Sequence, residues 1–167
     1  MQIHDVLMAI AQVAATFAGF TGIVVVFGRR GQGAWHRFVI KFILLASLGV
    51  LFFSFVPDVV AAAHIGDTAS WRIAMGLFAS YHVAVVGWSI VGEQRARTSP
   101  DFEQRLPRSR VPLFAVGLAI ILFQFAVAAG LASELLPFAY LLALLWILGM
   151  CTIVFGVLLL EGSEPAA

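Results

Sequence analysis

Charge is what this chain has least of. Of its 167 residues only 11% are Asp, Glu, Lys or Arg, while 62% are hydrophobic; a soluble domain is roughly a quarter charged and half apolar. So little polar surface excludes a self-sufficient water-soluble globule and leaves the membrane class. Cysteine is almost absent as well. Cys151 stands alone inside an apolar run, which excludes an internal disulfide. The chain has no G-x-x-x-x-G-K-[ST], no G-x-G-x-x-G after a strand, no G-x-S-x-G and no H-E-x-x-H. The phosphate-cradling, dinucleotide, hydrolase and zinc-protease signatures are therefore all missing. No enzyme activity and no cofactor are expected, and nothing points to nucleic acid. The opening "MQIHD" contains no Lys or Arg, and the basic "GRR" comes after the first apolar run. A secretory signal has the reverse order, so the first helix reads as a retained span.

What is present is apolar length. A spanning helix needs about 20 mainly apolar residues, and five stretches supply them: 6–28, 38–63, 71–92, 111–132 and 136–160. The expected fold is a single all-α domain over 1–167, a bundle of five transmembrane helices. Its one longer connection, 93–110, is rich in arginine.

The basic residues are sorted along the chain. Arg29, Arg30, Arg37 and Lys41 flank the first connection, and Arg95, Arg97, Arg105, Arg108 and Arg110 occupy the third; only Arg72 lies near the second. Short cytoplasmic loops carry the Lys and Arg, so the first and third connections are expected inside, with the N-terminus outside and the C-terminus cytoplasmic. In a bacterium this is the inner membrane. The stretch from Glu93 to Pro112 mixes five arginines with three acids and three prolines, which predicts an exposed, partly extended segment. It is a topology signal, and also a candidate contact for anionic lipid headgroups or a cytoplasmic partner.

Small residues mark helix contacts. In the first span Val13, Phe17, Phe20, Val24 and Phe27 form one bulky stripe, and Gln12, Ala15, Thr16 and Gly19 form another face. Ala14, Ala18, Thr21 and Gly22 make a third. Close backbone approach, rather than the hydrophobic effect, joins helices in lipid, so this helix is expected to be central. Gly76, Ser80 and Gly87 repeat the device in the third span, as do Ala126 and Gly130 in the fourth. Trp35 and Trp71 fall at expected interfaces, whereas Trp88 and Trp146 lie deeper.

Polar residues within spans are costly and suggest sites. Ser47, Ser54 and Asp58 share a face of the second span, and Pro57 frees the carbonyl of Phe53 just before the aspartate. His82 lies near the middle of the third span, and Gln12 and Gln124 add amides on the first and fourth. Together Asp58, His82, Gln12, Gln124 and Ser54 predict a water-accessible vestibule in the outer half. His4, Asp5, His64 and Asp67 at the outer face form a weaker metal candidate, without diagnostic spacing. Two functions stay open. The first is an oligomeric channel or transporter for an ion or small solute, preferred because an aspartate beside a proline in a span is hard to keep without use. The alternative is a non-catalytic scaffold or accessory subunit for another membrane protein, built on the small-residue faces and the arginine loop.

Overall fold

The computed structural model describes residues 2–27, 33–99 and 111–161. It contains five α-helices: α1 (Ile3–Phe27), α2 (Ala34–Ala61), α3 (Asp67–Arg97), α4 (Val111–Ala128) and α5 (Leu136–Glu161), the last preceded by one 3₁₀ turn, Ser133–Leu135. There is no strand among the described residues. Four of the helices, α1, α2, α3 and α5, are long and apolar enough to cross a membrane; α4, over Leu113–Ala128, is shorter.

The helix at the centre is α2, not α1. Its most apolar window is 56% buried, against 22% for α1, because α2 packs against α1, α3 and α5, while α1 lies along α2 and only touches α5. α1 turns Leu7, Ile10, Ala14 and Thr21 inward. The face bearing Gln12, Ala15, Thr16 and Gly19 is exposed. A Cβ added at Gly19, Gly22, Gly76 or Gly87 would meet nothing within 4 Å, and Ser80 is exposed with its hydroxyl turned back on the Gly76 carbonyl. Among the described residues of this chain they make no close helix contact. Their spacing is right for packing, but the bulky partners lie on other faces.

The glycine that brings two helices close is Gly49. It leaves the space in which the Tyr81 hydroxyl donates to the Leu45 carbonyl at 2.8 Å, and a Cβ there would collide with the Tyr81 ring and oxygen. Eight residues further along, α2 has its proline. Pro57 has no N–H, so the Phe53 carbonyl loses its intrahelical donor, and the Tyr140 hydroxyl of α5 donates to that carbonyl at 2.6 Å. Around this bond Phe53, Phe78, Tyr81 and Tyr140 pack ring against ring, with centroids 5.0 to 6.5 Å apart. Trp71 meets Tyr140 edge-on at 5.7 Å, whereas Trp88 sits on an exposed face and stacks on Phe38.

Helix ends depart from the expected spans for identifiable reasons. α4 stops at Ala128 and not at 132, because Gly130 takes φ +99°. Leu131 N–H then donates to the Ala126 carbonyl at 3.1 Å and Gly130 N–H to the Val127 carbonyl at 3.0 Å, the paired bonds of a Schellman terminator. Gly130 is thus a helix stop, not half of a packing pair. Arg72 reaches over this turn and donates to the Ser133 hydroxyl at 2.9 Å. α3 runs on to Arg97, so Glu93, Arg95 and Arg97 are helical instead of extended. Arg105, Arg108 and Arg110 lie outside the described residues, as do Arg29 and Arg30.

Gly49→Ala is expected to lower thermal stability in detergent by about 1–3 kcal/mol, the usual cost of forcing extra volume into a filled site. Gly19→Ala, exposed in mid-helix, is expected to be neutral or to raise stability by up to about 1 kcal/mol. Parallel unfolding curves of the two variants check both signs.

Candidate functional site

Polar side chains inside the bundle divide into those satisfied by their own helix and those that need a partner. Ser47, Ser54, Thr16, Thr21 and Thr152 each donate to the carbonyl four residues earlier, at 2.7 to 3.0 Å. Such back-bonding closes the hydroxyl's account locally, so Ser54, although fully buried, is not available to line a path. Imidazoles and amides cannot do this as easily, and two of them meet. His82 Nδ1 lies 2.9 Å from Gln124 Oε1 across the α3–α4 interface; His82 is 3% exposed and Gln124 0%. Phe78 covers His82 from the neighbouring turn, with ring centroids 6.3 Å apart.

This pair is incompletely satisfied. With Oε1 facing the ring, the imidazole carries its proton on Nδ1 and donates it, which leaves Nε2 a lone-pair acceptor. The other amide atom, Gln124 Nε2, is buried with no hydrogen-bond partner. A native structure leaves few such groups, and each calls for an explanation.

Asp58 is placed differently. Because α2 ends at Ala61, the carboxylate sits in its last turn, and its Oδ2 lies 2.9 Å from His4 Nδ1; the two side chains are 49% and 55% exposed. Gln12 is exposed on the outer face of α1. The five vestibule residues therefore separate into an exposed aspartate bonded to His4 at one end, an exposed amide on α1, a self-satisfied serine and the buried His82–Gln124 pair. The weaker metal candidates do not gather either. His4 is taken by Asp58, Asp5 Oδ2 accepts from the Gln2 backbone at 3.1 Å, and no three potential ligands cluster among the described residues.

The space in the molecule lies on the other side of His82. α4 packs against α3 and α5 rather than α2, and the gap left between α2 and α4 is a cavity of about 400 Å³. It extends from His82 to the end of the bundle where Trp35, Glu93, Leu113 and Val157 lie, the end that carries Arg37, Arg95 and Arg97. Its wall is almost entirely apolar, and Trp35, Phe38, Phe42, Phe114 and Trp146 contribute aromatic rings. Gly117 is part of the reason for the room: it sets backbone against the Trp146 indole, which a Cβ would meet at 3.4 Å. Ile90, Phe114, Leu118 and Ile153 line the cavity and are also exposed on the outside of the bundle, so this wall borders the surroundings directly.

The polar lining is one row on α3. His82, Ser89 and Glu93 stand at i, i+7 and i+11, with Val86 between them, one face of a helix. Glu93 accepts from Arg97 Nη2 at 2.7 Å, and its side chain is only 14% exposed. The sequence reading missed Glu93 as a site residue because it ended the span at 92. The helical spacing from His82 is the signal that finds it. No family model matches the chain, and neither a curated protein nor a solved structure is significantly similar to it.

The geometry yields a stability prediction with unusual sign. His82→Phe or Gln124→Leu alone leaves one polar partner buried and unpaired, which costs about 1–3 kcal/mol. The double variant removes both polar groups and the orphan amide with them. It is expected to be at least as stable as the wild type, a coupling that a double-mutant cycle of melting curves measures directly.

Proposed function

We propose that this protein is a membrane-embedded binding protein, acting as a carrier or transporter, for a small and mainly apolar solute. The observation that carries the reading is the aromatic-lined cavity of about 400 Å³ that ends at His82, the hydrogen-bond partner of the incompletely satisfied Gln124. Ligand sites are typically apolar hollows of about 300–1,000 Å³ with a few convergent polar groups, which is this composition. An ion path through one chain has less support. The exposed His4–Asp58 pair and His82 lie on opposite sides of the Phe53, Phe78, Tyr81 and Tyr140 rings, which fill the bundle between them. The arginine-bearing end is assigned to the cytoplasm by the positive-inside rule, with the N-terminus outside; in a bacterial cell the membrane is the inner one. The cavity then opens toward the cytoplasmic leaflet. The protein performs no covalent chemistry on its solute.

Cavity filling tests this. Val86 lines the hollow, and Val86→Trp is expected to occupy it without loss of thermal stability. Native mass spectrometry of gently extracted protein should show a small molecule bound to the wild type and lost from Val86→Trp. Equal occupancy of the two, or an empty wild type that also fails to take up lipophilic probes, overturns the reading.

A second reading is favoured by one observation, the exposure of Gln12 and Thr16 on the outer face of α1. An amide facing hydrocarbon lacks a partner, and interhelical hydrogen bonds are one of the forces that join membrane helices. A second copy of the chain, or another membrane protein, docked on the Gln12–Ala15–Gly19 face supplies it. Gly19→Leu should then lower the oligomeric mass seen in mild detergent while the monomer's helix content is kept; an unchanged mass removes this interface.

A further inference from the structure

The solute's chemistry can be narrowed, on the footing of the binding reading above. Inside a bilayer an apolar hollow does not by itself prefer any solute to the lipid tails around it, because both phases are hydrocarbon. Selection has to come from polar groups, and at the deep end of this cavity His82 is the one that lines it. Gly117, Ile121 and Gln124 fall at i, i+4 and i+7 on one face of α4; the first two line the cavity, and Gln124 lies one turn deeper, bonded to His82. Gln124 occupies the Nδ1 side of the ring, which leaves Nε2 as the ring nitrogen open to a ligand.

The complement of that open nitrogen is a hydroxyl, which can both donate and accept. The match does not depend on which way the amide is turned. With Oε1 on Nδ1, Nε2 accepts and the hydroxyl donates to it; with the amide reversed, Nδ1 accepts, Nε2 carries the proton, and the hydroxyl accepts it. A carbonyl answers only the second arrangement and an alkane neither. A carboxylate is disfavoured for a separate reason: among the described residues the lining contains no Lys or Arg, and its charged side chain is the acid Glu93. A bare anion at the level of His82 would be desolvated with no opposing charge.

We propose that the cavity binds an uncharged amphipath, a single hydroxyl on an apolar chain. The hydroxyl sits at His82 Nε2, and the chain runs along Val86, Trp146 and Trp35 toward the arginine-bearing end. From His82 to Glu93 the α3 wall is about 16 Å long, at 1.5 Å per residue, so the chain lies beside the helix for three turns. The exposed wall residues Ile90, Phe114, Leu118 and Ile153 give such a molecule a side entrance from the bilayer.

Trp35 and Trp146 line the cavity, so brominated probes report occupancy by quenching their fluorescence. The exposed Trp88 and the Trp71 outside the cavity are first replaced by Phe. The protein is then placed in phosphatidylcholine nanodiscs and titrated with a long-chain bromoalcohol, the bromoalkane of equal length and the bromo fatty acid. One good hydrogen-bonded anchor corresponds to about tenfold in affinity, so the alcohol is expected to quench at about a tenth of the concentration of the other two. His82→Phe should bring that ratio close to one while alkane quenching is kept. If that variant fails to fold, the double variant His82→Phe with Gln124→Leu, apolar at both positions, replaces it. Equal quenching by all three probes, or an alcohol preference that survives the loss of the imidazole, overturns the hydroxyl assignment while leaving the cavity as a binding site. Quenching by none of them sinks the binding reading itself.

Discussion

The bond between the Tyr140 hydroxyl and the Phe53 carbonyl holds the arrangement of the bundle. Pro57 breaks one rung of the α2 ladder, and in a low-dielectric interior the freed carbonyl has to be answered by another helix. Tyr140 answers it from α5, with a 0% exposed side chain in the middle of the ring cluster. That requirement fixes α5 against α2 at one height and draws Phe78 and Tyr81 of α3 into the same layer. α2 becomes the axis of the protein as a result. Below the ring layer α2 and α5 are held at a set distance, α4 is kept to the far side of α3 and α5, and the cavity is what the sealed upper half leaves open in the lower.

Much of the framework was legible in the residues. Five apolar stretches gave five helices, and the loss of the Phe53 carbonyl's partner follows from Pro57 without any coordinates. The site was less legible, for physical reasons that differ by residue. Asp58 drew attention by its charge, yet the last turn of α2 puts it within reach of His4 and water. Gln124 and His82 were each recognisable as polar groups in a span, but their pairing depends on the crossing of α3 and α4, which no local pattern encodes. The glycines were the least legible. Spacing marks a face where close approach is possible, not which neighbour stands there: Gly19 and Gly76 meet no other helix of this chain among the described residues, while Gly49 matters because one tyrosine from α3 reaches its backbone.

The polar groups of the interior show a common economy. Serine and threonine hydroxyls return to their own helix, tyrosine hydroxyls reach carbonyls of α2, and Glu93 leans on Arg97 one turn away. Each of these is closed within the protein. The His82–Gln124 pair is the exception, and the cavity adjoins it at His82. A buried donor without a partner is a debt that a ligand or a water can settle, which is why the pair, rather than the more conspicuous Asp58, anchors the functional reading.

The two phenol bonds to α2 have a further consequence, for how the bundle can move. Tyr81 of α3 and Tyr140 of α5 donate to the Leu45 and Phe53 carbonyls, so two different helices clasp α2 at heights eight residues apart. A helix held at two heights by two neighbours resists turning about its own axis as well as sliding along it. Displacement within the bundle then falls to the helices outside the clasp, α1 and α4, and α4 is the one that borders the cavity.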